Sequence, residues 1–193
     1  LLLGGCASTP QLSAPPRLFA DASFKPPSET IGAQNLFTLS PAMQAYLHSP
    51  AFEALLRSKG LERGLIDALY SKTDLKLEYD SSRTRTAAET YAARAGNCLS
   101  LVIMTAAFAR ELGMTVHFRS VMADETWSRD GGIYLVSSHV NIALGHRRPA
   151  GLLYDETSEH ELVVDFLPPP DASRLRSRQL EEEDIVALYL NNR

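Results

Sequence analysis

One stretch limits the fold more than any other: Arg94-Ala95-Gly96-Asn97-Cys98-Leu99-Ser100, running on through Leu101 to Gly113. Leu99, Leu101, Val102, Ile103, Met104, Ala106, Ala107, Phe108 and Leu112 fall on nearly every side of a helical wheel. A surface helix shows a single apolar stripe, so this pattern predicts a helix buried in a core. Gly96 can take a positive φ and close the preceding element, Asn97 is a favourable N-cap, and Gly113 is a favourable stop. Cys98 is thereby delivered onto the first turn of a buried helix. A thiol at that place feels the positive end of the helix dipole, which favours the nucleophilic thiolate. It also fits a small packed hydrophobe, because unpaired cysteine is among the most buried residue types.

A core helix needs other elements to cover it, and 193 residues suffice for one domain with arms to spare. Ser40-Pro41 and Ser49-Pro50 are each an N-cap followed by proline, and predict helices over 41–48 and 50–59, the second ended by Gly60. Leu61, Leu65, Ile66 and Leu69 mark a further amphipathic helix. Residues 75–80 alternate as a short strand or extended link. Thr86-Ala87-Ala88-Glu89 is a capping box that opens a helix to about Ala93.

After Gly113 the period changes to two. Val116, Phe118 and, less cleanly, Val121 predict a strand, and Ile133 to Leu144 a longer one after the Asp130-Gly131-Gly132 turn; residues 122–132 between them, like 145–160 further on, read as loops that wall the cleft. Residues 152–154 and 161–166 read as two more strands. Pro168-Pro169-Pro170 closes the sheet region, since proline cannot continue a ladder. A last helix is expected over 181–191. Its acidic start, Glu181-Glu182-Glu183-Asp184, suits a helix N-terminus without any partner. Helices first and antiparallel strands afterwards give an α+β class, with the Cys98 helix packed on one face of the sheet.

The arms have their own signals. Leu1-Leu2-Leu3-Gly4-Gly5-Cys6-Ala7-Ser8 resembles the end of a bacterial lipoprotein signal, whose charged start is expected ahead of Leu1. The resemblance implies that residues 1–6 are the remnant of that signal and that Cys6 carries lipid. It also implies a membrane anchor in the cell envelope and, with Ala7 next, sorting to the outer membrane facing the periplasm. Residues 7–39 hold Pro10, Pro15, Pro16, Pro26 and Pro27 and read as a proline-stiffened tether. Phe19, Phe24 and Phe37 are more aromatics than a linker needs, so part of it is expected to pack back on the domain. The net charge of −4 provides no basic footprint for nucleic acid. Cys6 and Cys98 are the two cysteines; no CxxC pair and no Cys/His spacing of the zinc type occurs, so no metal or cofactor is expected. With Cys6 used for lipid, Cys98 is left unpaired in an oxidising compartment, which marks it as a reactive thiol.

A cysteine nucleophile needs a base within hydrogen-bond reach and a third group to orient it. Of His48, His117, His139, His146 and His160, His139 is favoured. It stands in Ser137-Ser138-His139-Val140-Asn141-Ile142, where strand parity puts His139 and Asn141 on one face and Val140, Ile142 and Leu144 on the other. A solvated face would look the same. Asp165 is the favoured acid, at the end of Leu162-Val163-Val164, where a carboxylate is unusual without a partner; Asp155 is its competitor.

The order of these groups carries a second resemblance. Arg-x-Gly-Asn-Cys-x-Ser at a helix start, His-Val-Asn on a strand and Val-Val-Asp-Phe on a later strand resemble the transglutaminase-like superfamily. More narrowly, the chain is similar to bacterial lipoproteins that carry this domain ahead of tetratricopeptide repeats. The resemblance covers about residues 75–170. It implies a papain-like cysteine-peptidase fold over 40–175 and a nucleophile, base and acid at Cys98, His139 and Asp165. It implies too that the segment 176–193 is a C-terminal helix leading into a repeat region that would bind a protein partner. The oxyanion hole would use the Cys98 N–H and one further donor. Asn97, Tyr79 and Ser138 are the candidates, with Asn141 as support, and the sequence leaves them open. Three functions remain: a thiol peptidase or amidase acting on a peptide or isopeptide amide, an acyl transferase, or a non-catalytic module that binds a peptide.

Overall fold

In the computed structural model the chain divides into two units, Leu1–Thr30 and Ile31–Arg193. The structure describes residues 33–71, 73–130, 133–145, 161–168 and 176–192, with backbone alone for 33–34, 122–130 and 133–138. Cys6, the tether as far as residue 32, the second expected loop from residue 146 to 160, the expected strand at 152–154, Asp155, His146 and His160 lie outside the described residues, as does the side chain of Ser138.

The first helices start where their caps predict. The Ser40 and Ser49 hydroxyls accept from the N–H groups of Met43 and Phe52, each at 3.3 Å, and open α2 (Pro41–Leu47) and α3 (Pro50–Lys59). Gly60, at φ 83°, ends α3 and leads into α4 (Leu61–Tyr70). Ahead of them lies a short α1 (Ala33–Leu36). Leu36 and Phe37 are buried, so the core takes in residues that fall within the expected tether, in keeping with its surplus of aromatics.

Thr86 and Glu89 close both halves of the capping box on α5 (Ala87–Ala93). The next turn differs from expectation. The positive φ belongs to Arg94, at 53°, and not to Gly96. A left-handed non-glycine residue costs roughly 1–2 kcal/mol; here the Arg94 guanidinium lies 4.0 Å over the Tyr91 ring. Ala95–Gly96 instead forms a strand, β2, paired in parallel with β1 (Glu78–Tyr79). Glycine is needed at 96 for room: a Cβ there would sit 2.7 Å from the Ser100 Cβ.

The helix that follows, α6 (Cys98–Glu111), is buried from Leu99 through Ala109. Fully burying a large apolar side chain is worth about 1.5–3 kcal/mol, and Ile103, Met104 and Phe108 each contribute on that scale. Phe108 meets Tyr46 and Tyr91 at ring-centroid distances of 6.0 and 5.9 Å, which ties α2 and α5 to α6. Gly113, at φ 73°, stops the helix as expected, with its N–H bonded to the Arg110 carbonyl.

The sheet that follows is antiparallel, with strand order β5-β4-β3-β6: β3 (Thr115–Asp130), β4 (Ile133–Gly145), β5 (Leu162–Val164) and β6 (Ser177–Leu180). Two features depart from the sequence reading. Residues 122–130, expected in a loop, continue β3 past a register shift between Val121 and Thr126. Their composition is polar, but the backbone of β4 offers a ladder whatever the side chains are. β6 was not foreseen. Three of its four residues are exposed and only Leu180 is buried, the pattern of a short polar edge strand.

Val140, Ile142, Leu144, Phe118, Val164 and Leu180 join the core with α6. Val121 stands on the opposite face from Phe118, as the cross-strand partner of His139. The last helix, α7 (Glu182–Asn192), buries Ile185 and Tyr189. Its acidic first turn does have a partner: Glu182 pairs with Arg110 at 2.6 Å, joining α7 to the end of α6. The class is therefore α+β, with a buried helix against an antiparallel sheet.

Candidate active site

Local polar bonds fix where α6 begins. Asn97 caps it, accepting from the Ser100 N–H at 2.9 Å and from the Ser100 hydroxyl at 2.7 Å. The Asn97 amide donates to Thr84 Oγ1 at 2.8 Å, and Ser100 Oγ accepts from the Arg85 N–H at 2.9 Å. Thr84 and Ser100 are fully buried, so each of these bonds stands in for lost water. The Asn97 side chain is thus occupied in holding the turn, which favours a structural role for it over an oxyanion role. Thr84 and Arg85 were not singled out from sequence; their polar atoms have no pattern until the chain folds back on Ser100.

With α6 placed, Cys98 stands half-buried as a free thiol at its first position. The His139 ring hydrogen-bonds the Asp165 carboxylate, with Nε2 at 2.8 and 2.9 Å from Oδ1 and Oδ2, and has the Cys98 side chain as a neighbour near enough to shift its titration. Nε2 is spent on the acid, which leaves Nδ1 as the nitrogen for sulfur. Register explains the meeting. Ile142 pairs with Val164, so Asp165 stands opposite Asn141 and diagonal to His139 on the same face. The Asn141 amide donates to Asp165 Oδ2 at 3.2 Å, and the Leu167 N–H donates to Oδ1 at 3.2 Å. Asn141 is 7% exposed, and its Oδ1 is buried with no partner among the described residues.

The electrostatics follow from these contacts. His139 is pushed up to about 9, first by its bond to Asp165 and then by the neighbouring Cys98, against the opposing effect of burial. For Asp165, burial pushes the carboxyl up, but the bonds from His139 and Asn141 outweigh it and hold it below its ordinary value. At neutral pH the pair is an imidazolium on a carboxylate.

Comparison with protein-family models, with curated proteins and with solved structures gave no match in any of the three.

Two tyrosines complete the surroundings. Tyr79 is paired with Gly96 in the β1–β2 ladder, two residues before Cys98. Burial first, and then the neighbouring Cys98, push the Tyr79 hydroxyl up, so it stays protonated as a donor. Tyr70, at the end of α4, was missed from sequence. Its hydroxyl donates to the Asp165 carbonyl oxygen at 2.5 Å and its ring stacks on Phe166 at 5.6 Å. Only the tertiary fold brings it there, across 95 positions of sequence.

The other described histidines, His48 and His117, stand apart. His48 is the exposed C-cap of α2, and His117 pairs with Glu161. A surface cleft of about 350 Å³, lined by Phe37, Gln44, Ala107 and Arg110 among others, lies toward the far end of α6 from Cys98. Among the described residues no group of three His, Cys, Asp or Glu side chains could hold a metal ion.

Proposed function

We propose that the chain is a thiol hydrolase, a peptidase or amidase, using Cys98 as nucleophile, His139 as acid and base, and Asp165 to orient and charge the imidazole. One observation carries this reading: a single imidazole hydrogen-bonded to a partly buried carboxylate, with a thiol on a helix start as its other neighbour. A thiol heading a core helix, with His on one strand and Asp just past the end of its antiparallel neighbour, also supports a papain-like arrangement of the transglutaminase-like kind. The envelope location, the lipid on Cys6 and a protein partner for the C-terminal helix belong to the same proposal.

In the reaction, Cys98 sulfur attacks the carbonyl carbon of an amide, forming the S–C bond. The Cys98 N–H, at a helix position with no intrahelical acceptor, is the first donor to the oxyanion, and the Tyr79 hydroxyl, protonated and neighbouring Cys98, is the candidate second donor. The C–N bond breaks as His139 gives its proton to the departing amine. Water then gives a proton to His139, attacks the thioester and releases the acid, and the S–C bond breaks. An amine in place of that water gives acyl transfer, and the same residues serve both.

The test is alkylation. Iodoacetamide is expected to label Cys98 at pH 7 at least about tenfold faster than a free thiol of ordinary pKa. Labelling no faster than a cysteine-containing peptide would sink the enzyme reading in favour of a binding module. Given reactivity, mass spectrometry of a peptide amide with and without added amine separates hydrolysis from transfer.

A further inference from the structure

The hydroxyl of Tyr70 touches neither the sulfur nor the imidazole, yet it is bonded to the backbone of the acid. It donates to the Asp165 carbonyl oxygen at 2.5 Å. One residue on, Phe166 stacks against the same ring with planes 25° apart. Two residues on, the Leu167 N–H donates to the Asp165 carboxylate. β5 ends at Val164, so Asp165 lies just past the last ladder pair, with no strand residue beyond it to hold it. A residue in that position keeps its backbone torsions only if something else fixes them. Tyr70 supplies that anchor from a different element, α4.

We infer that Tyr70 is a positioning residue for the candidate triad, setting the backbone of Asp165 so that its carboxylate reaches His139. This rests on the reading of Cys98, His139 and Asp165 as one site, and deepens it. Rigid supports of this kind matter because a reacting constellation loses effect with displacements of well under an ångström. The other groups around the pair do different work. Asn141 and the Leu167 N–H hold the carboxylate itself. Cys98 neighbours the imidazole, and Tyr79 neighbours Cys98. Arg119 and His117, charged or titratable groups of β3, are both turned to Glu161.

The test is Tyr70→Phe, which keeps the stacked ring and deletes one oxygen from a side chain that is half exposed. The readout is the titration midpoint of His139 by NMR, which needs no substrate. Without the anchor, the Asp165–His139 bond loosens and the midpoint falls by about half a unit or more. Cys98 alkylation at pH 7 slows by about threefold to tenfold. Phe166→Leu removes the stack and leaves the hydroxyl, and is expected to move the midpoint less. A His139 midpoint unchanged in Tyr70→Phe, in a protein whose melting temperature has dropped, would make the contact merely structural and overturn the inference. Asp165→Asn is the control that keeps the two proposals separate. If it lowers the midpoint and Tyr70→Phe does not, only the role of Tyr70 fails; if neither variant moves it, the triad fails as well.

Discussion

Among the described residues two histidine–carboxylate pairs lie at the sheet, and they differ in what else each carboxylate holds. His139 meets Asp165 with both side chains 13% exposed, while His117 meets Glu161 with the histidine 37% exposed. Glu161 also pairs with Arg119, a permanent cation, so its charge is balanced without a proton from His117. The contacts described for the Asp165 carboxylate come from His139, Asn141 and the Leu167 N–H. Of these only the imidazole can carry positive charge. The demand for that charge, passed through the ring to Cys98, separates a candidate site from a surface ion cluster. A histidine beside a carboxylate is not enough.

The comparison breaks most directly if both histidines are exchanged. His139→Gln removes the partner of Cys98 and is expected to slow alkylation of Cys98 at pH 7 by about 10²-fold or more, within the range for a general base. His117→Gln is expected to leave the rate within about twofold of wild type, since the His117 ring is turned to Glu161. Equal rates in the two variants would mean that the His139–Cys98 contact does not activate the thiol.

Asp165→Asn sharpens the comparison through pH. The His139 pKa is raised, to about 9 from an ordinary 6.5. The stabilisation from this pair is therefore complete below about pH 6.5 and fades as pH rises through about 9. Asp165 is lowered, so its own contribution is present above the ordinary carboxylate range and fades as pH falls through its depressed value. Wild type should thus lose melting temperature between pH 7 and 10, and the rate of any step that uses imidazolium as acid should fall over the same interval. In Asp165→Asn the carboxylate bond that does most to raise His139 is gone, and both falls should move toward pH 6.5. Thermal melts and rate profiles at steps of half a pH unit would show it. An alkaline limb that stays near pH 9 would assign the His139 shift to some group other than Asp165.

What could be read from the sequence, and what could not, divides along the range of the interactions. Ser40, Ser49, Thr86 and Asn97 are caps because each bonds an N–H only three residues away. The burial of α6 follows from composition alone, and the parity of β4 places His139 with Asn141 whatever lies opposite. The left-handed residue was misplaced because Gly96 answers to packing against Ser100, a contact that exists only once the helix turns back. β6 was missed because an edge strand needs little apolar pattern, and residues 122–130 were read as a loop because the ladder that extends them is supplied by β4. Asn141 was read only as support, although register sets it opposite Asp165. Tyr70 carried no signal, as its partner lies in a strand end formed much later in the chain.

The smallest effect concerns the ground on which the two pairs stand. The His139 site rests on a helix start built from buried polar bonds, whereas the Glu161 cluster lies partly open to water. Asn97→Ala would remove a cap and leave the Thr84 hydroxyl and the Ser100 N–H without their partner. A lost cap costs about 0.5–2 kcal/mol, and the buried Thr84 and Ser100 groups put this one toward the upper end. Glu161→Gln also removes charge-assisted contacts, but its partners His117 and Arg119 are 37% and 29% exposed and regain water, which keeps the loss near the low value of solvated ion pairs, about 0–1 kcal/mol. Urea denaturation should therefore rank Asn97→Ala as the more destabilising of the two by about 1 kcal/mol. The Asn97 variant should also label more slowly at Cys98, because the cap sets the direction of the first helical turn. If Asn97→Ala unfolds as easily as Glu161→Gln and labels at the wild-type rate, the start of α6 is held by the parallel β1–β2 pair and not by its cap. The position of the sulfur would then owe more to Gly96 than to Asn97.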